Sequence, residues 1–375
     1  MLRWRLIKSG PLDPITIHAI YEAIAESVSR GESPNTLHIC WPEKPYVCIG
    51  IHQILDFEVN VRKCRELGIP ILRRQVGGGA TYLDSNQFFY HIIVRKEDAP
   101  INKSELFRRY LAPTICTYRR FGINAVYRPL NDVVVDGKKV SGNGAGTFGN
   151  AVVVIGNVIL DFNPEMFVSV LRIPSEKMRD KMVNTIDQWV SSLKKELGYK
   201  PSMDKVMETY ISCFEEEFGV KFVESGLTNA EKALLDKLRK KYTCEKWMYR
   251  YKNKHHRLLG NLRPEDRIIK ILGNHYIIQI VEKPEKLMRI IMEVKDGAIR
   301  DIVITGDFFI DPILVAKMEN FLKDMDLREV LSMDTNAILS QLEIEKHQRE
   351  AIPFIENFLK AFSKLRDIKE IKKPL

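Results

Sequence analysis

Apolar residues at Ile15, Ile20, Ile24 and Val28 carry the spacing of a helix that turns one face to a core. Asp13-Pro14 supplies a cap and a first turn, so this pattern predicts a helix from Asp13 to Ser29. The period then shortens. TLHIC and PYVCIGI, separated by WPEK, read as strands, and Glu58 to Leu67 returns to a helix ended by Gly68. ILRRQV, three glycines and ATYL predict one bent strand, followed by a turn at Asp84-Ser85-Asn86 and a further strand, QFFYHIIV. Lys103 to Phe121 reads as a single long helix with Gly122 at its end.

VVVDGKKVSG is the clearest hairpin, because Asp136-Gly137 suits the positive φ angles of a two-residue turn. NAVVVIGNVILDF predicts either a pair of strands or one bulged strand, with Gly156-Asn157 at the irregularity. Beyond Pro164 the pattern turns helical, at Pro174 to Lys181, Thr185 to Leu197, Met203 to Phe218 and Asn229 to Tyr242. Helices beside a largely antiparallel sheet make an α+β domain, spanning residues 1–244. Residues 245–257 are aromatic and basic with little apolar periodicity, which suggests a linker. A smaller α+β domain follows over 258–375. Its signals are Arg267 to Ile271, HYIIQIVE, a hairpin of LMRIIMEV and AIRDIVIT across Lys295-Asp296-Gly297, and helices from Asp311 to Asp324 and near the C-terminus.

The chain has 375 residues, 45% of them hydrophobic and 29% charged, enough for two ordinary cores. MLRWRLIKSGPLDP lacks the apolar run of a signal peptide, and the most apolar stretch, Ala151 to Leu160, is too short to cross a membrane. A cytoplasmic protein is the expectation. Six cysteines (Cys40, Cys48, Cys64, Cys116, Cys213 and Cys244) include no C-x-x-C pair, which argues against a zinc site or a disulfide framework and for buried thiols. The net charge of +9 is spread along the chain without a nucleic-acid-binding motif beside it, so no nucleic acid is expected as partner.

Two stretches carry chemistry. In RRQVGGGATYLD, glycines 77–79 serve either as a bend at a sheet edge or as a backbone cradle for an anion, and Arg73 and Arg74 shift the balance towards carboxylate or phosphate. Strand alternation should turn only one of the two arginines to the pocket. In NDVVVDGKKVSG, Lys138 and Lys139 likewise face opposite sides, and a lysine there suits a phosphate whose charge grows during reaction.

Together with PYVCIGIHQ upstream and VIGNVILDFN downstream, these stretches resemble the lipoate–protein ligases of the biotin/lipoate ligase and octanoyltransferase superfamily. EVKDGAIRDIVITGDF resembles that family's accessory domain, so the likeness spans nearly the whole chain. The resemblance implies a large lipoate-ligase-like catalytic domain and a small accessory one. It places Arg74, Gly77, Gly78, Gly79, Ala80, Thr81 and Tyr82 against ATP or the adenylate, with Asn131 and Asp132 near the phosphate and Asp132 on magnesium. Lys139 would touch both the α-phosphate and the acyl carbonyl, and Arg73 and Val76 would join it around lipoate. Val76, Leu83 and Ile155 depart from the family pattern, which has a small hydroxyl residue before the glycines and histidines before the next aspartate and the later glycine.

The implied activity is ATP-dependent lipoate activation and transfer to a lysine of an acceptor. Acceptors of this kind are lipoyl domains of 2-oxoacid dehydrogenase acyltransferase subunits, glycine cleavage H protein or a related protein. The enzyme is expected to be a monomer. The rival is an octanoyl or lipoyl transferase working through a cysteine thioester, but no cysteine lies close upstream of the Asp136-Gly137 hairpin. Biotin ligase is weaker still, since its G-R-G-R-x-x-R loop is missing.

Overall fold

The computed structural model describes residues 2–172, 179–260, 262–283, 286–344 and 351–367. The chain forms two compact units: Met1–Ile49, Val59–Val76 and Ala80–Cys244 make the larger, and Gly50–Glu58, Gly77–Gly79 and Glu245–Leu375 the smaller. Both are α+β, as the sequence pattern predicts.

In chain order come β1 (Leu2–Leu12), α1 (Pro14–Ser29), β2 (Thr36–Pro42), β3 (Tyr46–Ile49) and α2 (Leu55–Glu58), the last in the smaller unit. The larger unit continues with α3 (Val61–Glu66), β4 (Ile71–Arg73), β5 (Thr81–Leu83), β6 (Gln87–Arg95), α4 (Lys103–Tyr110) and α5 (Ala112–Arg120). β7 (Val126–Arg128), β8 (Asp132–Val135), β9 (Lys138–Phe148), β10 (Ala151–Ile159), α6 (Pro164–Val170), α7 (Arg179–Trp189) and α8 (Leu193–Leu197) follow. α9 (Met203–Phe218), β11 (Val220–Glu224) and α10 (Asn229–Thr243) complete it. Of the helix expected at Pro174 to Lys181, residues 174–178 lie outside the described residues.

An eight-stranded sheet in the order β11-β1-β2-β6-β10-β9-β8-β7 is the frame. Strand alternation sends Leu37, Ile39, Phe88 and Tyr90 to one face, where Phe107, Tyr110, Tyr118, Tyr210 and Phe214 of α4, α5 and α9 cover them. On the other face α1 lays Ile20, Tyr21, Ile24 and Val28 against Ile7, Ile93 and Val153. The Asp13 carboxylate caps α1 by accepting from the Ile15 and Thr16 amides, both at 3.1 Å. At the other end of the unit, Arg5 of β1 grips Glu231 of α10 with two nitrogens, at 3.0 and 2.6 Å, and Ser33 donates to the same carboxylate.

Several expectations change, among them the helix expected at Thr185 to Leu197, which is broken between α7 and α8. ILRRQV and ATYL are not one bent strand: β4 pairs parallel to one side of β3 and β5 antiparallel to the other, so the glycines carry a crossing. The long helix breaks at Leu111, because Pro113 has no N–H to continue it and opens a new first turn. β10 is a single unbulged strand, paired without a register shift to β6. Gly156 is required there by crowding, since a Cβ would collide with Asn143 Oδ1 and the Tyr90 ring. Finally, Cys116 and Cys213 form a disulfide. Packing of α5 on α9 brings together two thiols 97 residues apart, which spacing along the chain does not reveal.

The smaller unit adds α11 (Glu245–Met248), α12 (Arg250–Lys254) and α13 (His256–Leu259), so the expected linker is helical. β12 (Ile268–Leu272), β13 (His275–Glu282), β14 (Met288–Lys295) and β15 (Ala298–Gly306) form an antiparallel sheet in that order. α14 (Pro312–Leu322), α15 (Leu327–Ser332), α16 (Thr335–Gln341) and α17 (Ala351–Phe362) contribute Met318, Val330, Ile338 and Phe358 to the core on one face. Ile54 and Phe57 join Tyr251, Leu258, Ile291 and Val303 in a second cluster. Among the described residues, no helix is long and apolar enough to cross a membrane.

Candidate active site

The β8–β9 hairpin turns at Asp136 (φ +48°) and Gly137 (φ +77°), the positive angles its sequence predicts. Register shifts between Val133 and Val134, so Val134 pairs with Lys139 while Val133 pairs with Ser141. Lys139 Nζ stands 2.7 Å from Asp132 Oδ1, and Arg128 Nη2 donates to Asp132 Oδ2 at 2.9 Å. The Lys138 side chain has no hydrogen-bond or ion-pair partner among the described residues, while its backbone pairs with Val135. Gly142 lies beside the lysine stem: a Cβ there would meet Lys139 Cε at 3.6 Å, an ordinary contact. Asn131 is buried and exchanges hydrogen bonds with Asn143, donating to its carbonyl and accepting from Asn143 Nδ2 at 2.9 Å. Asn157 Oδ1 accepts from the Gly142 amide at 2.6 Å, and Asn143 Oδ1 accepts from Tyr90. The strand after Lys139 is therefore held by three asparagines, none of which has an apolar periodicity to betray its role.

Arg73 and Arg74 are both buried, at 1% and 8% exposure. The Arg74 amide donates to Ile49 at 2.9 Å, and its guanidinium lies 3.5 Å from Cys48 Sγ. Val76 reaches β9, where a Cβ on Gly146 would be 3.0 Å from Val76 Cγ1. Lys241 of α10 seats the base of the arginine arm, meeting Gln75 Oε1 and Glu22 Oε2 at 2.8 Å each. Thr81 and the buried Tyr82 lie on β5, directly after Ala80. Burial pushes the Tyr82 hydroxyl up to about 12, with Asp84 adding to it.

Glycines 77–79 belong to the smaller unit, and each has a different reason to lack a side chain. A Cβ on Gly77 would strike the Phe308 carbonyl, and one on Gly50 would strike that of Gly78. Gly78 itself has φ +97°. Gly79 is exposed, and the nearest atom to its Cβ position is Asp307 Cβ at 3.9 Å. Gly77 is explained by backbone packed on backbone and Gly78 by its backbone angle. Gly79 is not.

A buried polar group beneath α1 escaped the sequence reading. His18 Nε2 lies 3.1 Å from the Tyr46 hydroxyl and 3.6 Å from Cys48 Sγ. Burial, and then the Arg74 charge, hold His18 down at about 3. Burial raises the Cys48 thiol despite Arg74 beside it, so it is a poor nucleophile as it stands. His38 and His91 are likewise held neutral by burial.

The family described as the lipoyl protein ligase A/B catalytic domain matches residues 13–215, more than half of the chain. The chain belongs to this family. Its relatives include the octanoyltransferase LipM of Moorella thermoacetica, 28% identical over 269 residues, covering 66% of this chain and 98% of that protein. Lipoate-protein ligase A subunit 1 of Thermoplasma acidophilum is 27% identical over 237 residues, covering 60% of this chain and 88% of that one. Among solved structures, the bi-partite lipoate protein ligase of T. acidophilum aligns with TM-score 0.61 and 26% identity, over 66% of this chain and 96% of its own. LipL1 of P. falciparum, in complex with lipoate, aligns with TM-score 0.67 over 95% of this chain and 99% of its own. At 14% identity it shows the fold alone. Both an octanoyltransferase and a lipoate-protein ligase subunit are thus similar to this chain.

Proposed function

We propose that the chain is an ATP-dependent lipoate–protein ligase, and the observation that carries this reading is the Lys139–Asp132 pair on a hairpin without a thiol. Lipoate's carboxylate oxygen attacks the α-phosphorus of ATP; the bond to pyrophosphate breaks and lipoyl-adenylate remains. The amine of an acceptor lysine then attacks the acyl carbonyl, loses a proton, and displaces AMP. Lys139 supplies a mobile cation for charge that grows on the α-phosphate and carbonyl, and the buried arginine arm positions the acid. Gly79, Ala80, Thr81 and Tyr82 line the nucleotide side in this reading. Both Asp132 oxygens already meet cations, so magnesium enters as MgATP, held chiefly by phosphate oxygens and water. The acceptor is a lipoyl domain or an H-protein-like carrier, in keeping with the T. acidophilum ligase solved with its E2 lipoyl domain.

The second reading is an octanoyl or lipoyl transferase, favoured by the LipM relatives and by Cys48 beside Arg74. The two separate cleanly. Purified protein is incubated with lipoyl domain and either ATP, magnesium and lipoate, or an octanoylated carrier protein. AMP release with acceptor mass gain in the first mixture supports the ligase. Acyl transfer in the second without ATP, abolished by Cys48→Ser, replaces it with the transferase.

A further inference from the structure

Away from the Lys139 hairpin, the larger unit buries three side chains that together make a donor set. His38 and Cys40 are two residues apart on β2 and leave the same face, and His91 of β6 stands directly across from His38. His38 Nδ1 and His91 Nδ1 are 2.8 Å apart, while His38 Nε2 lies 2.9 Å from Ser9 Oγ. A ring nitrogen from each histidine and Cys40 Sγ all lie within 4.8 Å of one another. Nothing in the proposed ligase chemistry uses them.

We propose that His38, Cys40 and His91 bind one soft cation, copper(I) in preference to zinc(II). Two facing ring nitrogens hold one hydrogen between them, and a cation in its place takes a lone pair from both. Ser9 fixes the far side of the His38 ring, the outer-shell support that metal-binding histidines habitually have. Cys40 sits among Ile17, Tyr46, Leu72 and Phe89, a dry surround in which net charge decides the metal. Thiolate and copper(I) cancel. Zinc(II) would leave a net positive charge in a region that already feels Arg5, and would seek a fourth ligand. Binding breaks the Cys40 S–H bond and forms a copper–sulfur bond, releasing one proton per ion. The hydrogen between the two Nδ1 atoms moves to the remote Nε2 of the ring that carried it, so each neutral imidazole keeps one hydrogen, and no electron changes hands.

The test uses the full chain carrying Cys244→Ser, which removes the exposed thiol. Titration without oxygen against a chromophoric copper(I) chelator should give one copper per chain, with one proton released and a raised melting temperature. Cys40→Ser and His91→Gln should each weaken binding at least tenfold and lose the thermal shift. Ser9→Ala should weaken it about tenfold, and Cys64→Ser should leave it unchanged. Should Cys40→Ser fail to fold, His91→Gln and Ser9→Ala still decide the site. No copper bound by the parent chain, or equal binding by Cys40→Ser or His91→Gln, overturns the site. Tighter zinc than copper overturns the charge argument and with it the proposal.

Discussion

Replacing Lys139 with alanine separates what holds the fold from what performs the reaction. The lysine side chain is 34% exposed and Asp132 17%. An ion pair this open to water contributes about 0–1 kcal/mol. Asp132 also keeps Arg128 at 2.9 Å, so its carboxylate is not left without a cation. The melting temperature should therefore fall by no more than about 2–4 °C. Activity should fall far more. Losing one preorganised group aimed at developing charge costs about 100- to 1,000-fold in rate, or about 3–4 kcal/mol. The assay is AMP release from ATP and lipoate, with melting followed on the same samples. Lys138→Ala should stay near the parent rate, since that lysine has no partner to lose. Lys139→Arg should recover little, because a planar fork does not replace a mobile point charge. A Lys139→Ala rate above a tenth of the parent's would refute the role, and greater damage from Lys138→Ala would show that the other lysine faces the reaction.

Gly77→Ala should lower thermal stability by about 1–3 kcal/mol through its clash with the Phe308 carbonyl, whereas Gly79→Ala should melt like the parent yet lose ATP affinity; unchanged affinity would leave the cradle reading without support. His18 and His38 are held at about 3 and His91 well below its ordinary value, so the unfolded chain takes up more protons as pH falls below about 6.5. Each histidine should then remove about 1.4 kcal/mol of stability per pH unit, and a melting temperature flat from pH 7 to 5 would contradict this. Glu231→Gln leaves Arg5 charged and buried without its carboxylate, which should cost about 3–5 kcal/mol in denaturant unfolding; a loss under 1 kcal/mol would show water reaching the guanidinium.

Much of this architecture is legible in the sequence because it rests on local rules. The Asp13 cap, the two-residue turns at Asp136-Gly137 and Asp296-Gly297, and the alternation of β6 follow from backbone angles and side-chain period. Where a long-range contact decides, local rules fail. Gly156 looks like a bulge signal until Tyr90 and Asn143 are seen to fill the space its Cβ would need. The two sides of β3 are indistinguishable from a bend when only ILRRQV and ATYL are in view. The same holds at the site: Lys139 is readable from its hairpin, but Lys241, 166 residues from Gln75, is not.

The glycine triplet shows why one motif can satisfy two demands. Gly77 is compelled by the Phe308 carbonyl and Gly78 by its left-handed angle, so these two answer to the fold of the smaller unit. That unit also claims Ile54 and Phe57, which pack with Tyr251 and Leu258 rather than with β3 beside them in sequence. A chain ended at Cys244 would consequently keep the glycines and both apolar residues while losing Phe308 beside Gly77 and the cluster around Ile54 and Phe57. Loss of adenylate formation in such a truncated chain would not by itself assign a catalytic task to residues 245–375, because the glycine segment would have lost its support at the same stroke. Gly79 escapes that ambiguity. It is exposed and uncrowded, so a methyl group there leaves the fold alone, and under the proposed ligase reading it perturbs only the space assigned to the nucleotide.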